Sequence, residues 1–209
     1  RWATHGSKTI NNAHPHISEN GNIILVHNGI INNFNILKTK LENYGINFYG
    51  STDTEVIANL IEYYLLYMNN DIENAIQNAI NELEGTWALI IIYTKDLDTY
   101  YITRKGSPLV IGNNEKYFIC SSETNGFVGL VYDYISLNDN AILKLKNNEF
   151  TFLNNTDNYI IKKINAEDTI QNCGAYKHWM IKEIMEQPES IQKAYNYGGR
   201  IVENNIKLG

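Results

Sequence analysis

A change of hydrophobic period along the chain predicts an α+β fold. Between Phe34 and Leu83 apolar residues recur at helical spacing, whereas from Thr86 to Leu153 they fall into short strand-like runs. A helical pattern returns from Tyr176 to Tyr197. Helices grouped between blocks of antiparallel strands suit a layered α+β domain.

The elements follow in order. Ile23-Ile24-Leu25-Val26 is a continuous apolar run after Gly21-Asn22, which predicts a strand buried on both faces. A helix is expected next, with Phe34, Leu37 and Leu41 on one face and Gly45 as its stop. The second helix carries Val56, Ile57, Leu60, Ile61, Tyr64 and Leu65, and Thr52-x-x-Glu55 reads as a capping box at its start. A third runs from about Asp71 to Leu83 on Ile72, Ala75, Ile76, Ala79 and Ile80. Strands are predicted at 86–93, 99–104, 109–111, 117–120, 141–145 and 150–153. Hairpin turns are placed at Asp96-Leu97-Asp98 and Lys146-Asn147-Asn148. Asn154 to Thr169, polar and rich in Asp and Asn, reads as a long surface loop. In the tail helix Pro188 should kink or break the chain near Gln187.

Composition excludes several classes. A net charge of −6 argues against nucleic acid or an anionic membrane as a partner. No apolar run approaches the roughly 18 residues of a membrane span. Two cysteines, Cys120 and Cys173, make no disulfide framework, so a reducing, cytoplasmic location is expected.

Three segments carry candidate chemistry: Arg1 to Gly6, with His14-Pro15-His16 downstream; Val26-His27-Asn28-Gly29-Ile30, at the end of a buried strand; and Thr52-Asp53-Thr54-Glu55, at a helix start. An Arg, an Asp and an Asn-Gly pair suit a zwitterionic amino acid with a reactive amide. A guanidinium grips a carboxylate with two hydrogen bonds, and a carboxylate grips an ammonium. An Asn side chain and a glycine N–H can donate to the oxygen of a tetrahedral intermediate. Each has a plainer reading as well: Asp53 as an acidic first-turn residue favoured by the helix dipole, Asn28-Gly29 as a turn after a strand. His14 and His16 lack the Cys or acidic partners of a metal site, and a structural role is expected of them. Gly106-Ser107-Pro108 has no phosphate-cradle pattern and reads as a turn before a strand.

Arg1-Trp2-Ala3-Thr4-His5-Gly6, Asn12-Ala13-His14-Pro15-His16, His27-Asn28-Gly29-Ile30 and Thr52-Asp53-Thr54-Glu55 together resemble the glutaminase domain of the class II glutamine amidotransferases. Gly106-Ser107-Pro108-Leu109-Val110-Ile111-Gly112 and Met180-x-Lys182-Glu183-Ile184-x-Glu186-Gln187-Pro188 narrow the likeness to the glutamine–fructose-6-phosphate aminotransferase branch. The resemblance runs in order over nearly the whole chain. It implies a four-layer αββα N-terminal-nucleophile hydrolase fold, incomplete at its N-terminus. Residues 1–175 would be the glutaminase domain without its first segment, and 176–209 a helical tail leading toward a sugar isomerase domain.

The same resemblance assigns roles. Arg1 would bind the α-carboxylate of L-glutamine, helped by Thr4 and His5, and Asp53 its α-ammonium. Asn28 and Gly29 would form the oxyanion hole. Trp2 sits in the loop that closes over glutamine and gates the ammonia path. The family's nucleophile is an N-terminal Cys whose own α-amine, with a pKa of roughly 7.7–8.0, moves the proton. Residue 1 here is Arg; Cys120 falls in a predicted strand and Cys173 in a polar loop. The nucleophile is therefore expected to be missing from these 209 residues, which alone should bind glutamine weakly and leave it intact.

The implied parent activity is transfer of the glutamine amide nitrogen to fructose 6-phosphate, giving glucosamine 6-phosphate and glutamate. That reaction calls for no metal or organic cofactor, and the parent enzyme is expected to be a homo-oligomer. The rivals are another class II amidotransferase, such as a phosphoribosyl-pyrophosphate or asparagine-forming one, and a non-catalytic glutamine-binding module.

Overall fold

The computed structural model describes residues 9–114, 116–127, 129–147, 149–154, 159–164, 173–193, 200–202 and 205–207. The backbone divides into two compact units, Arg1–Ile164 and Asn165–Gly209.

In the first unit a six-stranded sheet is built from β1 (His16–Ile17), β2 (Ile23–Ile31), β3 (Gly85–Tyr93), β4 (Asp96–Lys105), β8 (Ile142–Lys146) and β9 (Glu149–Phe152), adjacent in that order. A second sheet has the order β10-β7-β5-β6, from β5 (Val110–Asn113), β6 (Phe118–Ser121), β7 (Asp133–Ser136) and β10 (Ile160–Lys163). The pairings within both are antiparallel.

Strand alternation gives the large sheet two apolar faces. Leu89 and Ile91 of β3 and Tyr101 of β4 join a core with the helices α1 (Phe34–Asn43), α2 (Asp53–Leu66) and α3 (Ile72–Glu82). Ala88 and Ile102 face the other way, onto Leu109, Ile111 and Ile135 between the sheets. Helix α2 is the pivot of the first core: it is buried continuously from Asp53 to Tyr63, as its broad apolar surface requires. Side chains such as Leu60 and Ile61, fully buried, stabilise the fold by about 1.5–3 kcal/mol each. Helix α1 buries Leu37 and Leu41, with Phe34 packed beside them. It ends before Gly45 at φ +82°, whose N–H donates to Glu42 O at 2.9 Å. The outer face of the second sheet is covered by a 3-10 turn, Thr124–Phe127. A Cβ on Gly112 would meet Val131 Cγ2 at 2.5 Å and Phe127 at 3.4 Å, so the chain crosses closely there. Helices, two sheets and this turn are the described layers of the unit, in line with the expected α+β architecture.

Glu62, on α2, ties the entry of β2 to the helix layer. Its buried carboxylate accepts from Ser18 Oγ at 2.8 Å, Asn20 N at 2.9 Å, Asn22 N at 3.1 Å and Asn22 Nδ2 at 2.8 Å. Burial pushes this carboxyl up, but the Asn20, Ser18 and Asn22 hydrogen bonds outweigh it and leave its pKa below the ordinary value of 4.5.

Several expectations need correction. Strand β2 is longer than its apolar run and continues through His27-Asn28-Gly29 to Ile31, paired with Gly85. It is buried on one face only, since Ile24 and Val26 are half-buried and Asn28 exposed. The capping box is half formed. Thr52 Oγ1 accepts from Glu55 N at 3.2 Å, but the Glu55 carboxylate passes the cap and takes the N–H groups of Tyr49 and Gly50 at 2.7 and 2.8 Å. The β3–β4 hairpin turns at Thr94-Lys95, because Tyr93 pairs with Asp96 after an irregularity at Ile92/Tyr93. The expected surface loop 154–169 contains β10, which pairs with β7 from Ile160↔Ser136 to Lys163↔Asp133. Short strands with lysines and a polar approach give little period to read.

In the second unit α4 (Trp179–Lys193) runs through Pro188 without ending; the proline removes one backbone donor but leaves the helix continuous. Arg200–Val202 pairs with Asn205–Lys207 as a short hairpin. Among the described residues no helix is long and apolar enough to cross a membrane.

Candidate functional site

The candidate residues gather where β2 meets β3 and α2 begins. Gly29 has φ +145°, a backbone state L side chains rarely adopt. A Cβ there would lie 2.1 Å from Thr86 O and 2.9 Å from His27 Nε2. Only glycine fits, and it sits within a paired strand, so the Asn28-Gly29 pair is not a turn. Alternation turns Asn28 to the face opposite His27, where it is exposed.

His27 faces the helices. It is buried, with Nδ1 3.1 Å from Thr54 Oγ1 and Nε2 3.5 Å from Thr86 O. Its Nδ1 is also 4.0 Å from Asp53 Oδ2. Asp53, buried in the first turn of α2, accepts the Ile31 N–H on the same oxygen at 3.0 Å. Asp53 thus lies at a helix start on the His27 side of the sheet, and it does not line the cleft onto which Asn28 opens. His16 is structural, buried with Nε2 3.2 Å from the Thr52 hydroxyl and its ring edge-on to His14 at 5.4 Å. Among the described residues no three His, Cys, Asp or Glu side chains cluster as a metal set.

Asn28 opens onto a cleft of about 200 Å³ between the sheets, where Val26, His14, Pro108, Leu109, Ser121 and Ser122 also line the walls. Sequence reading missed Pro108, Leu109 and the two serines as cleft residues; only the turn at Gly106-Ser107-Pro108 was visible locally. A larger cavity of about 510 Å³ opens between the sheets over Ile90, Tyr100, Ile102, Phe118 and Leu145. It contains none of the predicted site residues, so size does not decide the site. Cys120 borders both spaces. Burial pushes its thiol up to about 11, so it holds little thiolate near neutral pH. Arg1, Trp2, Thr4 and His5 lie outside the described residues.

Residues 3–129 match the family model described as a glutamine amidotransferase domain. The chain belongs to this family. Curated relatives of the amidotransferase domain are glutamine–fructose-6-phosphate aminotransferases (isomerizing). That of Thermococcus kodakarensis is 37% identical over 98% of this chain and 34% of its own length. That of Bacteroides thetaiotaomicron is 36% identical over 100% and 34%. The chain thus spans about a third of the length of these relatives. Among solved structures, the glutamine phosphoribosylpyrophosphate amidotransferase of B. subtilis matches with a TM-score of 0.62 at 27% identity, over 76% of this chain and 34% of that one. A glutamine aminotransferase class-II domain protein from Silicibacter pomeroyi shares the fold, with a TM-score of 0.51 at 21% identity, over 69% and 71%.

Proposed function

We propose that this amidotransferase domain hydrolyses the side-chain amide of L-glutamine and delivers the ammonia to fructose 6-phosphate bound on a second domain. The observation that carries the reading is Gly29, where no side chain fits, set beside an exposed Asn28 in a cleft wall. Glycine lets the backbone approach a ligand closely, and an Asn amide next to a glycine N–H is a donor pair for an oxyanion.

In this reading a thiolate adds to the amide carbon, and the carbonyl oxygen takes up the negative charge facing Asn28 and Gly29. The carbon–nitrogen bond breaks as the nitrogen is protonated, and ammonia leaves. Water then cleaves the thioester to glutamate and free thiol. The thiol is that of the N-terminal Cys implied by the resemblance; Cys120, held in a strand with its pKa raised, does not suit the task. Arg1, with Thr4 and His5, binds the α-carboxylate, Asp53 the α-ammonium, and Trp2 closes the site. Water must be kept from the ammonia path while the sugar is aminated.

The acceptor is proposed from curated relatives matching at 36–37% identity over nearly the whole chain. The test is an assay of the full-length native protein with amide-labelled glutamine and, in turn, fructose 6-phosphate, phosphoribosyl pyrophosphate or aspartate. Label in an amino sugar supports the proposal. Label only with another acceptor overturns the choice of acceptor, and no glutamate at all overturns amide hydrolysis.

A further inference from the structure

We propose that Arg104 is a positioning residue for glutamine, acting through the loop that forms one wall of the Asn28 cleft; this rests on the amide-hydrolysis reading. Arg104 stands near the end of β4, its side chain only 20% exposed. Its Nε donates to Ser107 O at 2.8 Å and its Nη1 to Leu137 O at 2.9 Å, and Nη2 pairs with Asp139 Oδ1 at 3.0 Å. That carboxylate oxygen in turn accepts the Gly106 N–H at 3.1 Å. The Arg104 carbonyl takes the Asn140 N–H at 2.8 Å. One ion pair therefore holds Gly106 by its N–H and Ser107 by its carbonyl, and locks them to the 137–140 segment.

The next two residues, Pro108 and Leu109, line the cleft with Asn28. The loop is also seated on β3. Gly106 has φ +70°, and a Cβ there would meet Thr86 Cγ2 at 2.8 Å. Thr86 is the residue whose carbonyl oxygen crowds Gly29. The loop wall and the Asn28-Gly29 pair are thus referenced to one strand residue, and the guanidinium sets the wall's height above it. A planar fork can fix two carbonyls and a carboxylate at once, which the point charge of a lysine cannot.

A wall that contacts the substrate's methylene groups contributes equally before and during reaction, so its loss raises KM and spares kcat. In the full-length native protein, Arg104→Lys keeps a cation beside Asp139 and loses the fork. Expected is a rise of about tenfold in the KM for glutamine, the size of one lost charge-assisted hydrogen bond. The kcat should stay within about twofold, and amide exchange at Ser107 and Leu109 should quicken. Asp139→Asn should raise KM in the same direction by less. A merely structural role would instead lower the melting temperature and the active fraction, so kcat falls at constant KM; that result overturns the proposal. If the unmutated protein releases no glutamate, the amide-hydrolysis reading fails, and this proposal with it. If it does and Arg104→Lys has its KM, the positioning role alone fails.

Discussion

Gly29 and Thr86 approach so closely across the β2–β3 pair that a Cβ on Gly29 would sit 2.1 Å from the Thr86 carbonyl oxygen. Backbone cannot yield there as a flexible side chain could, because both residues belong to paired strands, with Gly29 opposite Trp87 and Ile30 opposite Thr86.

Gly29→Ala is therefore expected to be costly. The positive φ alone costs on the order of 1–3 kcal/mol, and the clash adds to it. Denaturant unfolding should show a loss of at least about 2 kcal/mol. A variant as stable as the parent would mean that the strand relaxes away from Thr86.

Glu62 supplies a pH-dependent part of the stability. Its pKa in the fold is below the unfolded value near 4.5. A depressed carboxyl stabilises the fold above its unfolded pKa, and that contribution is lost as pH falls through the folded pKa. Glu62→Gln should destabilise at pH 7 by about 1–3 kcal/mol, the cost of weakening hydrogen bonds to a buried charge. It should also make the stability less dependent on pH below about 4.5. An acid limb as steep as the parent's would place the titration elsewhere.

Trp2 lies outside the described residues, and its role comes from the resemblance alone. In the full-length native protein Trp2→Ala should leave glutamine hydrolysis in excess of sugar amination, as ammonia escapes an open site. Equal loss of both activities would argue against gating.

Much of this was legible in the sequence because it is local. The three helices follow from their apolar spacing, and Asp71 caps α3 by accepting from Asn74 N at 2.8 Å. The site segments were legible as motifs. What they do to one another was not. The Asn28-Gly29 pair was expected at a strand end, and only pairing with β3 shows it inside the strand, since Thr86 is 57 positions from Gly29 in the chain. The half-formed capping box has a similar cause: the Glu55 carboxylate finds two backbone donors, Tyr49 and Gly50, that the motif cannot foresee. Strand β10 escaped because its partner β7 is remote and its residues are Ile160-Ile161-Lys162-Lys163, without alternation. The cleft wall at Pro108 and Leu109 depends on Arg104 and Asp139, brought together only by the fold.

A role for Asn28 as donor to the oxyanion of the glutamine amide is tested by the kcat of Asn28→Ala in the full-length native protein with glutamine alone. Asn28 is exposed and outside both cores, so the variant should fold and melt like its parent. Expected is a fall in kcat of about 10²–10³ with KM little changed, the signature of a lost oxyanion donor. A kcat equal to the parent's would contradict it.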